Sequence, residues 1–119
     1  MKKFHFSFEE ARYVDLWTIV HFGSGASIGF IFSLLKIPRG IAHALALVLL
    51  VLWEVFEIVM KIKESKPNII SDIIVGYAGF LLSFEVAEFS GSRLKTSTVL
   101  TTLTTLSLAI AGWVHWLKK

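Results

Sequence analysis

The chain of 119 residues is long enough for one domain, and 55% of its residues are apolar. The mean hydropathy of +0.69 means more apolar surface than a soluble domain of this size can bury, which excludes an ordinary soluble protein and predicts an integral membrane protein. The net charge of +3 comes from Lys and Arg beside apolar segments, which indicates membrane orientation and not nucleic-acid binding, and without cysteine neither disulfides nor thiolate metal sites can form.

Four apolar segments follow one another, each close to the ~20 residues that a helix needs to cross the hydrocarbon core. Residues 1–13 precede them as a polar segment with interleaved phenylalanines, which predicts an interfacial segment with a helix that begins near Phe8. We predict membrane spans over residues 16–35, 41–60, 69–87 and 96–117. The pattern therefore predicts an all-α protein in which residues 1–119 form a single transmembrane domain, a four-helix bundle.

Charges beside the segments predict the orientation of the chain. Eight of the twelve Lys and Arg residues fall on one predicted side: Lys2, Lys3, Arg12, Lys61, Lys63, Lys66, Lys118 and Lys119. The other four fall on the opposite side: Lys36, Arg39, Arg93 and Lys95. Because positive charge accumulates on the cytoplasmic side, both termini are predicted to be cytoplasmic. The membrane itself is expected to be a prokaryotic cytoplasmic membrane.

Ionisable residues interrupt three of the apolar segments. His21 lies in the first, Glu54 and Glu57 in the second, and Asp72 in the third. Such residues are costly inside a bilayer and usually face a partner, a cavity or an ion. If the segments alternate in direction, all four lie one to two helical turns from the cytoplasmic end. The sequence therefore predicts a shared polar site near the cytoplasmic leaflet.

The types of these residues indicate what the site can do. Carboxylates and imidazole are ligands of divalent metals, and the i, i+3 spacing of Glu54 and Glu57 is typical of carboxylate metal sites in helical bundles. We predict four metal ligands, namely His21, Glu54, Glu57 and Asp72. Three of them, His21, Glu54 and Asp72, are also candidate catalytic acids and bases on a lipid head group or an envelope precursor. Whether the protein is an enzyme stays open.

Residues around the predicted site complete the pattern. Ser24 and Asn68 are predicted to hold the ligands by hydrogen bonds. Small residues on the first and third segments permit close helix packing: Gly25, Gly29, Gly76 and Gly79. Membrane lipids are the expected partners, together with further copies of the chain or a larger membrane complex, and no nucleic acid is expected.

Three other interpretations stay open at this point. The ionisable residues could satisfy one another, with His21 bonded to Glu54 and Glu57 paired with Lys61. The protein could be a structural or accessory subunit of a larger membrane complex, with Gly25 and Gly29 on the partner surface. It could also be a small proton- or cation-conducting unit, since chains of acids and histidines relay protons in membranes.

The remaining polar residues are expected to make structural contacts and not to belong to the site. Glu85 and Glu88 are expected to pair with Arg39, Arg93 or Lys95, and His43 is expected at the membrane interface. His115 reaches the depth of the polar site but is favoured as a membrane anchor. The hydroxyls of the fourth segment are expected to bond to carbonyls of their own helix or to a neighbouring helix.

Three short motifs resemble the VanZ-like superfamily of small membrane proteins, which includes teicoplanin-resistance proteins and small relatives of the YjdF and YfiM type. They are DLWTIVHFGSG from Asp15, WEVFE from Trp53 and NIISDIIVGYAG from Asn68. The resemblance implies a polytopic membrane protein of the cell envelope whose matching polar positions are Asp15, His21, Glu54 and Asp72. It implies no particular reaction.

Overall fold

The computed structural model describes residues 16–60 and 66–118. They form helices α1 (Leu16–Leu34), α2 (Arg39–Val59), α3 (Lys66–Ser90) and α4 (Leu94–Leu117), with a short 3₁₀ turn (Gly91–Arg93) between the last two. These bounds lie within three residues of the predicted ones, a difference that is ordinary at helix ends. The predicted interfacial segment, residues 1–13, lies outside the described residues.

Three helical stretches of the described chain are long and apolar enough to cross a membrane. They are Leu16–Leu34, Arg39–Val59 and Pro67–His115, the last of which contains α3, the 3₁₀ turn and α4. The all-α class and the presence of helices that can span a membrane are therefore confirmed. By length and composition the spanning stretches number three and not the predicted four, because no break in the helical run separates α3 from α4.

Two residues with left-handed backbone conformation mark two places where the described chain reverses. Lys36 has φ 57° directly after α1, and the amide of Ile37 donates to the carbonyl of Phe32, 3.0 Å away. This bond closes a Schellman motif, a common helix ending. Gly91 has φ +52° at the end of α3. A straight helix over Pro67–His115 would be roughly 70 Å long, whereas the longest dimension of the molecule is 43 Å, so α4 folds back.

Helix α1 packs against both α3 and α4. The glycines predicted for helix packing lie where α1 and α3 meet, because a Cβ built on Gly25 would collide with the carbonyl oxygen of Gly76, and one on Gly79 with that of Phe22. A Cβ on Gly29 would likewise collide with the side chain of Ser83. Backbones that approach so closely leave no room for side chains, which is the usual role of small residues between membrane helices.

Aromatic rings fill the core on the side of the molecule where α2 begins and α3 ends. Phe80 and Phe84 stack on each other and pack with Ala42 and Ala46. His43 lies edge-on to both rings and shares a 2.7 Å hydrogen bond between its Nδ1 and the Tyr77 hydroxyl. The prediction of His43 as an interface residue therefore misses its main contacts, which are with α3.

The hydrogen bond between His43 and Tyr77 yields a testable stability effect. We expect Tyr77→Phe to lower the free energy of unfolding by about 1 kcal/mol, because a half-buried imidazole loses its partner. The effect is measured by reversible unfolding in detergent micelles. His43→Phe in the Tyr77→Phe background should cost less than His43→Phe alone, and strictly additive losses would show that the bond contributes nothing.

Exposed charges pair next to this aromatic core. Arg39, the first residue of α2, contacts Glu85 and Glu88 of α3, and its guanidinium lies 5.6 Å from the centre of the Phe84 ring. The predicted pairing of both glutamates with Arg39 is confirmed. The hydroxyl of Thr98 donates to the carbonyl of Leu94, 2.7 Å away, so the predicted bonding of α4 hydroxyls to their own helix is confirmed there.

Candidate metal site between three helices

His21 is the residue of α1 that enters the site, and its orientation is fixed from within its own helix. The ring nitrogen Nδ1 lies 2.7 Å from the carbonyl oxygen of Trp17, one turn earlier. Because a carbonyl only accepts, Nδ1 carries the proton and donates it. In the neutral ring Nε2 therefore presents a lone pair, the arrangement in which a histidine binds a metal while its other nitrogen donates to a backbone carbonyl.

Two helices supply carboxylates to the same place. Glu54 and Glu57 lie one turn apart near the end of α2 and are its only buried residues after Leu50. Asp72 lies near the beginning of α3 and has no exposed surface. Val55 and Phe56, which lie between the two glutamates in α2, are exposed. The helical period thus turns both glutamates inward and the residues between them outward.

The four side chains converge around the Nε2 atom of His21. This atom lies 3.1 Å from Oε1 of Glu54, 4.0 Å from Oε1 of Glu57 and 3.7 Å from Oδ2 of Asp72. One ligand atom from each of the four residues can be chosen so that all lie within 4.8 Å of one another. The structure thus brings together all four predicted ligands, from three helices, in one buried group.

These separations suit a cation at the centre of the group. Nitrogen and oxygen ligands bind a zinc-like ion at about 2.0–2.2 Å, which places two ligand atoms roughly 3–4.4 Å apart across the metal. Only a small contraction of the group is then needed. An imidazole with three carboxylates is a hard to borderline donor set, appropriate for manganese, ferrous iron or zinc.

Burial explains why the group is costly without such an ion or bound protons. The side chains of His21, Glu54 and Glu57 are exposed by 5% or less, and that of Asp72 not at all. Three carboxylates held this close repel one another, and low dielectric makes each charge expensive. Oxygen Oε2 of Glu54 is buried and accepts no hydrogen bond from the described residues. A cation or shared protons would lower this cost.

The other predicted site residues lie at different distances from the group. Asn68 is fully buried one turn before Asp72, and Ser24 is half-buried one turn after His21. His115 is exposed and is not part of the group. Asp15, and the Lys61 proposed as a partner of Glu57, lie outside the described residues.

Glycine packing is what sets the distance between His21 and Asp72. Gly25 lies one turn after His21 on α1, and Gly76 one turn after Asp72 on α3. Their backbones touch, so the polar residues one turn away are held at the same close approach. The same contact occupies the surface that an accessory-subunit function would offer to a partner.

A cluster of tryptophans closes the site on the side of α4. Trp17 of α1 lies edge-on to Trp113 of α4, with ring centres 6.1 Å apart, and Trp53 of α2 lies 6.5 Å from the same Trp113 ring. Trp53 also lies edge-on to His21. The mutual packing of these tryptophans depends on which helices are neighbours.

No relative of the chain was found among known proteins. Comparisons of the chain with protein-family models, with curated proteins and with solved structures find no match. The resemblance of the first three segments to the VanZ-like superfamily therefore stays a prediction. The function is inferred from the geometry of the buried group.

Proposed function

We propose that the protein crosses a prokaryotic cytoplasmic membrane four times, with both termini in the cytoplasm. Support comes from the reversal at Gly91, which splits the third apolar stretch into two antiparallel helices. The outward surface of α2 is apolar along its length, with Val48, Leu52 and Val59 exposed by about half or more. Lipid is the solvent in which such a surface is stable.

In this membrane protein the buried group of His21, Glu54, Glu57 and Asp72 is a divalent-cation site near the cytoplasmic leaflet. The observation that carries the proposal is the convergence of four ligand atoms within 4.8 Å from three separate helices. Random placement of polar residues in a membrane protein is opposed by their cost, so a convergent buried set usually has a task. The Nδ1 bond to Trp17 supports His21 as a ligand through Nε2.

The cation in turn serves to bind a lipid head group or an envelope precursor. A metal ion at the head-group level attracts anionic oxygens and polarises them. Glu54 is the carboxylate nearest to His21 and is our candidate for the general acid and base, should the bound group react. Asn68 and Ser24 each lie one turn from a ligand, at positions from which they can hydrogen-bond to the ligands or to the group that the cation binds.

Two other functions receive less support. A conducting unit needs a polar path, yet the buried apolar residues Ala46 and Leu50 separate Glu54 from His43 along α2. An accessory subunit needs a free docking surface, and the face formed by Gly25 and Gly29 is covered by α3 of the same chain.

Metal content is the direct test of the proposed function. Protein extracted into detergent without chelator, stripped and then reloaded with Mn²⁺, Fe²⁺ or Zn²⁺, should retain about one ion per chain by elemental mass spectrometry. We expect His21→Ala to lose it, because the nitrogen ligand is gone. Glu85→Gln is the matched control, since Glu85 lies exposed beside Arg39 and should leave the content unchanged. Equal metal in both variants, or none in the wild type, contradicts the proposal.

A further inference from the structure

A cavity of about 230 Å³ lies between α1 and α2 and meets the buried group at His21, which belongs to both. Apart from His21 and Ser24, its lining side chains are apolar, and they include Ile28, Leu49 and Trp53. The cavity thus has a polar end at the proposed cation and an apolar remainder. Its volume holds roughly eight water-sized groups at ~30 Å³ each, enough for a short stretch of one hydrocarbon chain.

The cavity extends away from the site along the helix axes. Ile28 lies seven residues after His21 on α1, about 10 Å farther along that helix. Leu49 lies five residues before Glu54 on α2, about 7.5 Å from it. Because α1 and α2 are antiparallel, both displacements have the same direction, from the cytoplasmic end toward the middle of the bilayer. A lipid of the cytoplasmic leaflet has the same polarity, with its head at the site and its chain toward the middle.

The wall of the cavity reaches the outer surface of the helices. Leu49 lines the cavity and is 42% exposed, so on the outside it faces the surrounding lipid. An apolar wall favours the chain of an amphiphile over a water-borne substrate, because burying hydrocarbon is favourable and desolvating polar groups is not. The route between α1 and α2 therefore fits a ligand that arrives sideways from the bilayer.

We infer that the site takes a phosphate-bearing membrane lipid, whose phosphate oxygens bind the cation and whose acyl chain occupies the cavity between α1 and α2. This inference rests on the proposed cation site. Ions of the manganese or magnesium type prefer six ligands, so four protein ligands leave positions for two oxygens. Phosphate is the anionic oxygen group at the head of a membrane phospholipid, and Ser24 lines the cavity together with His21, so its hydroxyl can donate to that phosphate.

The test uses Mn²⁺ as a paramagnetic probe in the full-length protein, reconstituted in nanodiscs of phosphatidylglycerol. Electron–nuclear double resonance should detect a ³¹P coupling of the size given by directly bound phosphate. We expect Leu49→Trp and Ile28→Trp, which fill the cavity, to retain Mn²⁺ and to lose this coupling. Leu52→Trp is the matched control on α2, because Leu52 is exposed and does not line the cavity. It should retain both.

The outcomes distinguish a failure of this inference from a failure of the proposed cation site. Mn²⁺ that binds in nanodiscs without a ³¹P coupling contradicts lipid binding and leaves the proposed cation site intact. An equal coupling from inorganic phosphate in lipid-free detergent, insensitive to both cavity variants, identifies a water-borne ligand and also overturns it. Failure of the wild type to bind Mn²⁺ overturns the proposed function and this inference together.

Discussion

Glu54→Gln is expected to remove the stabilisation of the protein by metal while leaving the metal-free protein at least as stable as the wild type. The carboxamide keeps the shape of the side chain but lacks the anionic oxygen that a divalent cation requires. Loss of a residue that only hydrogen-bonds to a metal ligand weakens metal binding about 10- to 100-fold. Loss of a ligand itself should therefore weaken metal binding by ~100-fold or more. At a metal concentration 100 times the wild-type Kd, the wild type gains about 2.7 kcal/mol and the variant only ~0.4 kcal/mol.

The sign of the effect without metal distinguishes a cation site from an ordinary polar core. In the metal-free protein Glu54 lies among two other buried carboxylates, and neutralising one of three repelling groups does not destabilise the fold. In a core held by the Glu54–His21 pair, whose atoms are 3.1 Å apart, the same change breaks a charged hydrogen bond. Such a loss costs roughly 1.5–3 kcal/mol under every condition.

Unfolding of the wild type and Glu54→Gln, each with Mn²⁺ and with chelator, measures both effects in one experiment. Glu85→Gln controls for the removal of one negative charge, because Glu85 is exposed and lies far from the site in the fold. Its unfolding should respond to Mn²⁺ as the wild type does. Equal destabilisation of Glu54→Gln with and without metal would assign these residues to a structural core.

The helices, and the depth of the polar residues, could be predicted because both depend on positions along the chain. Helix bounds follow from apolar length, and Pro38 directly before α2 agrees with them, because its ring and missing amide favour a helix start. Alternating segments then place His21, Glu54 and Asp72 in one layer. The structure brings these three side chains together in that layer.

The contacts around each helix could not be predicted, because the order of helices in a bundle is not written in the periodicity of any one of them. His43 shows this directly: its partners Tyr77, Phe80 and Phe84 lie on a helix about 34 residues or more away in sequence. The cavity beside His21 was missed for the same reason, since its lining residues come from both α1 and α2.

The number of membrane-spanning stretches cannot be decided from length and composition alone. By those criteria α3 and α4 count as one stretch, since the residues on both sides of Gly91 are helical and sufficiently apolar. Only the left-handed backbone of Gly91 and the packing of α4 on α1 separate them. A glycine in an otherwise helical run is a weak signal by itself, and the gap between the last two predicted spans rested on the polar segment from Ser90 to Lys95.

Gly25→Ala should destabilise the protein by ~2–3 kcal/mol and weaken metal binding at the same time. The new methyl group would collide with the Gly76 carbonyl and the Phe80 backbone, neither of which can move without separating α1 from α3. Gly40→Ala is the matched control, because nothing lies within 4 Å of a Cβ there. Near the start of α2 it should be neutral or stabilise the helix by up to ~1 kcal/mol, since alanine has the higher helix propensity.

The coupling to metal follows from the position of Gly25 one turn from His21. If the two helices move apart there, the 3.7 Å separation between His21 and Asp72 increases, and the two ligands no longer reach one ion. Unfolding in detergent with and without Mn²⁺ measures stability and affinity together for Gly25→Ala and Gly40→Ala. A Gly25→Ala protein that unfolds earlier yet binds Mn²⁺ as tightly as the wild type would show that helix spacing does not set the geometry of the site.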